Sequence, residues 1–319
     1  MSRFFLLFTL VVGLWLPATP VQAAGAEFSV AAAPTTGYFD LTLHPGSTKA
    51  LAVTINNTAN APRRFTVAMV PATTDASGQL LYTAHAKLTA AGKPTLTTWT
   101  PVSRKQVTVA AHGRQQVTLR LAIPNSATPG ERLGAIAVTT HRAFAAKRQA
   151  SIQNRFTLAT PVHVTIDHPL TARPRLTLTH ARVASNHRQL TATLASHTAR
   201  LFGQITLRLA LVDATGKQLL HTTLHNAQMA PGARMPLALP LGSRPLKPGK
   251  YWLRVRLASG SQHYDLRQPL TITANAAYAS AKPPFRTAPL PWWVFALIAA
   301  VVALTLAVLG LLITRRRRS

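Results

Sequence analysis

The chain has 319 residues, with 35 Lys and Arg against 7 Asp and Glu, a formal charge of +28, 47% hydrophobic residues and no cysteine. Without cysteine there is no disulfide framework and no thiolate metal site, so stability must come from burying apolar side chains. A balance this basic attracts polyanions, and seven scattered carboxylates offer little material for hydrolysis by paired acids, which needs two of them facing one site.

At the N-terminus, "MSR" is a short basic start, "FFLLFTLVVGLWL" an apolar run of 13 and "PATPVQAA" a close of small residues. This is the pattern of a secretory signal peptide over residues 1–24, cleaved at Ala23 or Ala24. The chain beyond it is expected outside the cytoplasm. Setting aside Arg3 and the arginines at 315–318 leaves 30 basic residues against 7 acids, about +23 for the exported part. Nucleic acid is the common partner of so basic a chain, but it is not expected there. Anionic wall polymers and lipid headgroups are the polyanions within reach.

From residue 25 onward the sequence alternates with period two, the mark of strands with one face buried. In "LAVTIN" the buried set is Leu51, Val53 and Ile55, and in "FTVAM" it is Phe65, Val67 and Met69. "QVTLRLAI" sets Val117, Leu119, Leu121 and Ile123 against Thr118, Arg120 and Ala122. "ITLRLAL" sets Ile205, Leu207, Leu209 and Leu211 against Thr206, Arg208 and Ala210, and "YWLRVRL" sets Tyr251, Leu253, Val255 and Leu257 against Trp252, Arg254 and Arg256. Turn pairs such as Pro45-Gly46, Ser77-Gly78, Thr215-Gly216 and Ser259-Gly260 punctuate these runs. The spacing predicts an all-β chain of two tandem immunoglobulin-like antiparallel β-sandwich domains. "DHPLTARP" breaks the pattern, placing one domain at 25–167 and a second at 168–280.

The proline-rich "AKPPFRTAPLP" (281–291) predicts an extended spacer. From Trp292 to Ile313 run 22 uncharged residues, with Trp292 and Trp293 at one end and Arg315, Arg316, Arg317 and Arg318 just past the other. At helical rise that is roughly 33 Å, enough for one crossing. The basic tail (314–319) stays in the cytoplasm by the positive-inside rule. "PLPWWVF" has no threonine–glycine pair for a transpeptidase to cut, so the helix is expected to remain in the cell membrane, with the N-terminal side outside.

Two groups of residues stand out as candidate binding sites. Trp252 falls on the polar face of its strand with Arg254 and Arg256, and Arg208 lies on the polar face of another strand in the same domain. A Trp among arginines is the signature of an interaction surface. In "YFDLTLHPG", Phe39, Leu41 and Leu43 form the buried set, so Tyr38 and Asp40 point the other way as weak candidates for wall contact. A hydrogen bond between Asp40 and a neighbouring turn is the plainer expectation. No G-x-S-x-G or H-E-x-x-H motif occurs, and His221 and His225, four apart on a strand, stand about 13 Å from each other, too far for one metal ion. No catalytic residue, cofactor or metal is expected.

"GYFDLTLHPGSTKALAVTINNT", "VPATTDASGQLLY" and "IPNSATPGERLGAIAV", followed by "RPRLTLTHARV", "AQMAPGARMPLAL" and "LKPGKYWLRVRL", resemble in order the two domains of the WxL-interacting proteins of Gram-positive bacteria. The resemblance implies a first domain of peptidoglycan-binding type and a second that contacts a WxL-domain or host extracellular protein. It also implies a single membrane helix. The charge alone supports a different reading, an electrostatic binder of anionic wall polymers with no protein partner.

Overall fold

A computed structural model describes residues 27–32, 37–141, 156–184, 189–241 and 246–273. The expected signal peptide with Ala23 and Ala24, the expected spacer at 281–291, the apolar span from Trp292 to Ile313 and the tail arginines lie outside the described residues.

The described residues form strands, turns and one 3-10 turn at Ala90–Gly92. The first sandwich holds β1 (Phe28–Ala32), β2 (Phe39–Leu43), β3 (Thr48–Asn57), β4 (Arg63–Thr74), β5 (Leu80–Tyr82), β6 (Arg104–Val109), β7 (Arg114–Ala122), β8 (Gly130–His141) and β9 (Thr157–Ile166). One sheet runs β1–β3–β7, and the other runs β2–β9–β8–β4–β5 with β6 also on β4. The second sandwich holds β10 (Leu176–Val183), β11 (Gln189–Ser196), β12 (Phe202–Asp213), β13 (Gln218–Met229), β14 (Arg234–Pro240), β15 (Gly249–Ser259) and β16 (Gln262–Ile272). Its sheets are β10–β11–β14 and β13–β12–β15–β16. The second sandwich thus repeats the first in strand order, without a counterpart of β2 and with β13 in the place that β5 and β6 share beside β4.

Alternation builds both cores. Leu51, Val53 and Ile55, with Leu119 beside them in the same sheet, pack against Phe65, Val67, Ile136, Val138 and Val164 of the other, all fully enclosed. In the second sandwich Ile205, Leu207, Leu209, Leu211, Leu253, Val255 and Leu257 of one sheet are likewise enclosed, in one core with Leu190, Leu194, Leu237 and Leu239 of the other. Each such side chain contributes about 1.5–3 kcal/mol of transfer free energy. The ladders are antiparallel with one exception: β2 runs parallel to β9, from Phe39 opposite Val162 to Leu43 opposite Ile166. The all-antiparallel expectation is corrected here. β1 pairs with β3 in one sheet and β2 with β9 in the other, so the chain changes sheets between them and meets the last strand heading the same way.

One hairpin turn occurs twice. In Asp75-Ala76-Ser77-Gly78-Gln79 the Asp75 Oδ1 accepts the Ser77 and Gln79 N–H groups at 2.9 Å each. In Asp213-Ala214-Thr215-Gly216-Lys217 the Asp213 Oδ1 accepts the Thr215 and Lys217 N–H groups at the same distance. Both turns need a left-handed residue at the fourth place, Gly78 at φ 79° and Gly216 at φ 88°. The second tip is open to solvent, with nothing within 4 Å of a Cβ built on Gly216. The first is pressed into the second sandwich, where the Gln228 N–H donates to the Gly78 carbonyl at 2.8 Å.

That contact belongs to a joint that locks the two sandwiches together. The Thr89 N–H donates to the Gly232 carbonyl (2.8 Å), the Arg234 N–H to the Lys87 carbonyl (3.0 Å) and the Glu131 N–H to the Ala199 carbonyl (2.7 Å). The Thr89 hydroxyl donates to the Ser196 carbonyl at 2.8 Å and the Ala230 N–H to the Thr74 hydroxyl at 3.0 Å. Buried Ala72, Ala230 and Ala233 fill the centre with Leu80, Tyr82, Leu88 and Leu133 around them. Small residues let the two backbones approach this closely. A Cβ on Gly232 would overlap the backbone N and Cα of Gly92, and one on Gly92 would sit 2.8 Å from the Pro231 carbonyl oxygen.

Candidate functional site

Strands β12, β15 and β16 turn one side inward and present the other to solvent, and register decides what meets there. The hairpin at Gly260 pairs β15 with β16 so that Trp252 lies opposite Pro269, Arg254 opposite Arg267, and Arg256 opposite Asp265. On the other flank β12 places Val212 opposite Trp252, Ala210 opposite Arg254, and Arg208 opposite Arg256. The outer face of this sheet therefore carries Arg208, Arg254, Arg256 and Arg267 around one carboxylate, Asp265. Trp252, at one end of the same face, is 44% exposed.

Asp265 is the hub. Its Oδ1 accepts the Arg254 Nε–H at 2.8 Å and its Oδ2 accepts from Arg254 Nη2. Arg256 Nε stands 3.6 Å from Oδ2 and Arg267 Nε 3.9 Å from Oδ1. The hydrogen bond from Arg254 holds the Asp265 carboxyl below its usual range. Arg254 is thus tied down within the domain by an ion pair to the neighbouring strand. Arg208 finds only a neutral partner among these contacts, donating to Gln218 Oε1 at 3.2 Å. Two hollows open on the face. One of about 410 Å³ is lined by Thr206, Arg208, Arg256, Ala258, His263 and Tyr264 among others. A second of about 220 Å³ is lined by Ala210, Val212, Gly216, Gln218 and Arg254, again with Arg208 and Arg256. Arg208 and Arg256 are common to both and form the ridge between them.

In the first sandwich Tyr38 is 45% exposed and Asp40 points outward beside it on β2. Asp40 Oδ1 bonds His163 Nδ1 at 3.0 Å on the neighbouring strand β9, which replaces the expected turn partner. The other ring nitrogen, His163 Nε2, is 3.3 Å from Glu131 Oε2. That same Glu131 oxygen accepts the Leu201 N–H of the second sandwich at 2.9 Å. The chain Asp40–His163–Glu131–Leu201 thus runs from the edge of one sandwich into the other. The Glu131 hydrogen bond, opposed by burial and helped by the charges of Glu131 and Asp40, raises the His163 pKa above 6.5. Burial pushes the Glu131 carboxyl up, but the His163 and Leu201 hydrogen bonds and the charges of His163 and Arg200 bring it below 4.5.

Asp40, Glu131 and Asp265, scattered in the sequence, therefore sit within strands and take part in clusters. His221 and His225 both lie on β13, and among the described residues no group of three His, Asp or Glu is placed to hold a metal ion. Sequence reasoning missed Asp265, Arg267, His163 and Glu131. The β15–β16 hairpin carried the signal for the first two: a two-residue tip after Ser259 pairs residues whose numbers share one sum, which puts Asp265 against Arg256. His163 carried no such signal, since its partners lie 123 and 32 positions away.

No curated protein matches the chain. Among solved structures, the Escherichia coli chaperone DraB is 14% identical, covering 76% of this chain and 97% of that one at a TM-score of 0.30. The CsuC–CsuE chaperone–tip subunit complex of Acinetobacter baumannii is also 14% identical, covering 64% and 89% at 0.30. Likenesses at this level carry no inference about the chain. Two family models match instead. Residues 31–140 match "WxL Interacting Protein, peptidoglycan binding domain", and residues 147–282 match "WxL Interacting Protein, host binding domain". The second match begins upstream of β9, although β9 hydrogen-bonds within the first sandwich, to β2 and β8.

Proposed function

The chain belongs to the WxL-interacting protein family, and from that premise we propose that it is a non-catalytic scaffold held at the outer face of the cell membrane. Its first sandwich binds peptidoglycan. Its second docks a surface protein, a WxL-domain protein of the same cell or an extracellular protein of a host. The observation that carries this reading is the succession of two binding-domain families over residues 31–140 and 147–282, laid on two sandwiches that share a strand order. The apolar span from Trp292 to Ile313 supports anchoring, with Arg315 to Arg318 on the cytoplasmic side. The joint between the sandwiches supports a fixed geometry between wall and partner.

The docking site proposed on the second sandwich is the outer face of β12, β15 and β16, with Trp252 as its apolar anchor and Arg208, Arg254 and Arg256 beside it. A Trp that stays 44% exposed on a strand gains little for a monomer, and a partner that buries it recovers about 2 kcal/mol or more. On the first sandwich, exposed Tyr38 and Asp40 are the proposed wall contacts. The strong positive charge favours a second reading, electrostatic retention by anionic polymers alone.

Sedimentation of the purified full chain with peptidoglycan stripped of anionic polymers separates the two readings. Specific binding keeps the chain in the pellet as salt rises from 50 to 500 mM, because contacts at a recognition site are screened far less than diffuse attraction. Loss of the chain from the pellet across that range, or binding only to unstripped wall, would favour the electrostatic reading.

A further inference from the structure

The outer face of β12, β15 and β16 contains an electrostatic cost that the fold itself does not offset. Residues directly opposite on neighbouring strands bring their Cβ atoms to about 5 Å, and like charges there are destabilising. This sheet has two such pairs, Arg208 opposite Arg256 and Arg254 opposite Arg267. Asp265 answers the second pair and reaches Arg256 at 3.6 Å.

The chain's other six side-chain carboxylates are engaged elsewhere. Glu27 pairs with Arg63, Asp40 and Glu131 with His163, and Asp167 with His44. Asp75 and Asp213 close their own turns. Among the described residues no carboxylate reaches Arg208, whose guanidinium rests on the Gln218 amide oxygen. Four guanidiniums thus crowd one carboxylate, which reaches Arg254, Arg256 and Arg267 but not Arg208; Arg208 and Arg256 line both hollows and form the ridge between them.

We infer that the missing countercharge comes from the docked partner: an acidic segment of a protein sets carboxylates on the Arg208–Arg256 ridge and apolar side chains against Trp252 and into the larger hollow. The inference rests on the docking face proposed above and names the chemistry of its occupant. A guanidinium matches a carboxylate with two parallel N–H···O bonds, and Arg208 keeps its donors on the open side of the sheet. Asp265 shows the mode in place, since it holds Arg254 through both carboxylate oxygens. Of the apolar residues that line the larger hollow, Ala258 lies on this outer face, while Leu257 is enclosed in the core behind it. With Trp252 on the same face, Ala258 calls for apolar groups interleaved with acids. A protein segment supplies that, and a phosphodiester polymer does not.

The test uses the full chain in an uncharged detergent and two probes, a Leu-Glu-Glu-Glu-Glu-Leu peptide and an oligo(glycerol phosphate) of equal charge. Affinities are read by calorimetry and stability by thermal unfolding. The expected result is that Arg208→Gln weakens the peptide at least tenfold while the melting temperature stays level or rises by up to about 2 °C, as relief of a like-charge pair predicts. Arg114→Gln on β7 of the first sandwich, which removes the same charge elsewhere, should change peptide affinity less than twofold. A melting temperature lowered by more than 2 °C makes Arg208 a structural residue and overturns the inference. So does equal weakening by Arg114→Gln, or tighter binding of the glycerol phosphate oligomer with the same dependence on Arg208. If Trp252→Ala abolishes capture of a WxL-domain protein and Arg208→Gln does not, the docking face stands and the acidic occupant falls. If neither variant affects capture, the face itself falls.

Discussion

Replacing Gly232 by alanine tests the joint between the sandwiches. Gly232 sits at φ 65°, where a side chain costs about 1–3 kcal/mol in backbone strain. The new Cβ would also overlap the N and Cα of Gly92 and lie 2.9 Å from the Ala91 carbonyl carbon, all backbone atoms that cannot rotate aside. Separating the two segments breaks the bond from the Thr89 N–H to the Gly232 carbonyl, worth about 0.5–1.5 kcal/mol net. The total is about 2–4 kcal/mol; the strain sits in the β13–β14 turn of the second sandwich and the rest on the contact between sandwiches, with none on either core. Scanning calorimetry of the wild type should show one cooperative transition for the pair. Gly232→Ala should lower its midpoint by roughly 5–15 °C and split it in two as the sandwiches uncouple. A single transition with an unchanged midpoint would mean that the joint contributes nothing, and the fixed geometry between wall and partner would have no basis.

The His163 cluster makes the same joint sensitive to pH. The raised His163 pKa means its contribution is complete below about pH 6.5 and is lost as pH rises through the folded value; the lowered Glu131 pKa means its share is complete above about pH 4.5 and is lost as pH falls through the folded value. Stability should therefore peak between those limits, and His163→Gln should flatten the alkaline side of a plot of melting temperature against pH; an unaltered slope there would contradict the assignment. Asp75→Ala should lower the melting temperature more than Asp213→Ala, since the two turns share their hydrogen bonds but only the first bears on the second sandwich through Gly78. Equal effects would show that the first turn carries no load at the joint. Detergent should extract the chain from cells, whereas release only by muramidase would refute anchoring through Trp292 to Ile313.

Much of the fold was legible because alternation is a local signal. The core sets of β3, β4, β7, β12 and β15 follow from period two, and every buried residue named from those runs is enclosed. What was not legible depends on long-range or irregular features. The parallel placement of β2 on β9 joins residues 123 positions apart. Residues 83–103 carry no strand period, yet Leu96 and Trp99 from that stretch enter the core, and Arg132 is enclosed beneath it with its guanidinium 5.5 Å from the centre of the Trp99 ring. β12 and β13 slip register three times, so the contact between Arg208 and Gln218 could not be counted out from their hairpin. The glycines of the joint read in sequence as ordinary turn residues; only the second backbone lying against them shows why a side chain there is excluded.

The docking of a protein on the outer face of the second sandwich is the central claim, and Trp252→Ala probes it most directly. Binding of the full chain to a WxL-domain protein is measured together with its melting temperature. The account predicts at least a tenfold loss of affinity with the melting temperature almost unchanged and peptidoglycan binding intact. Unaltered affinity in a folded variant would contradict it.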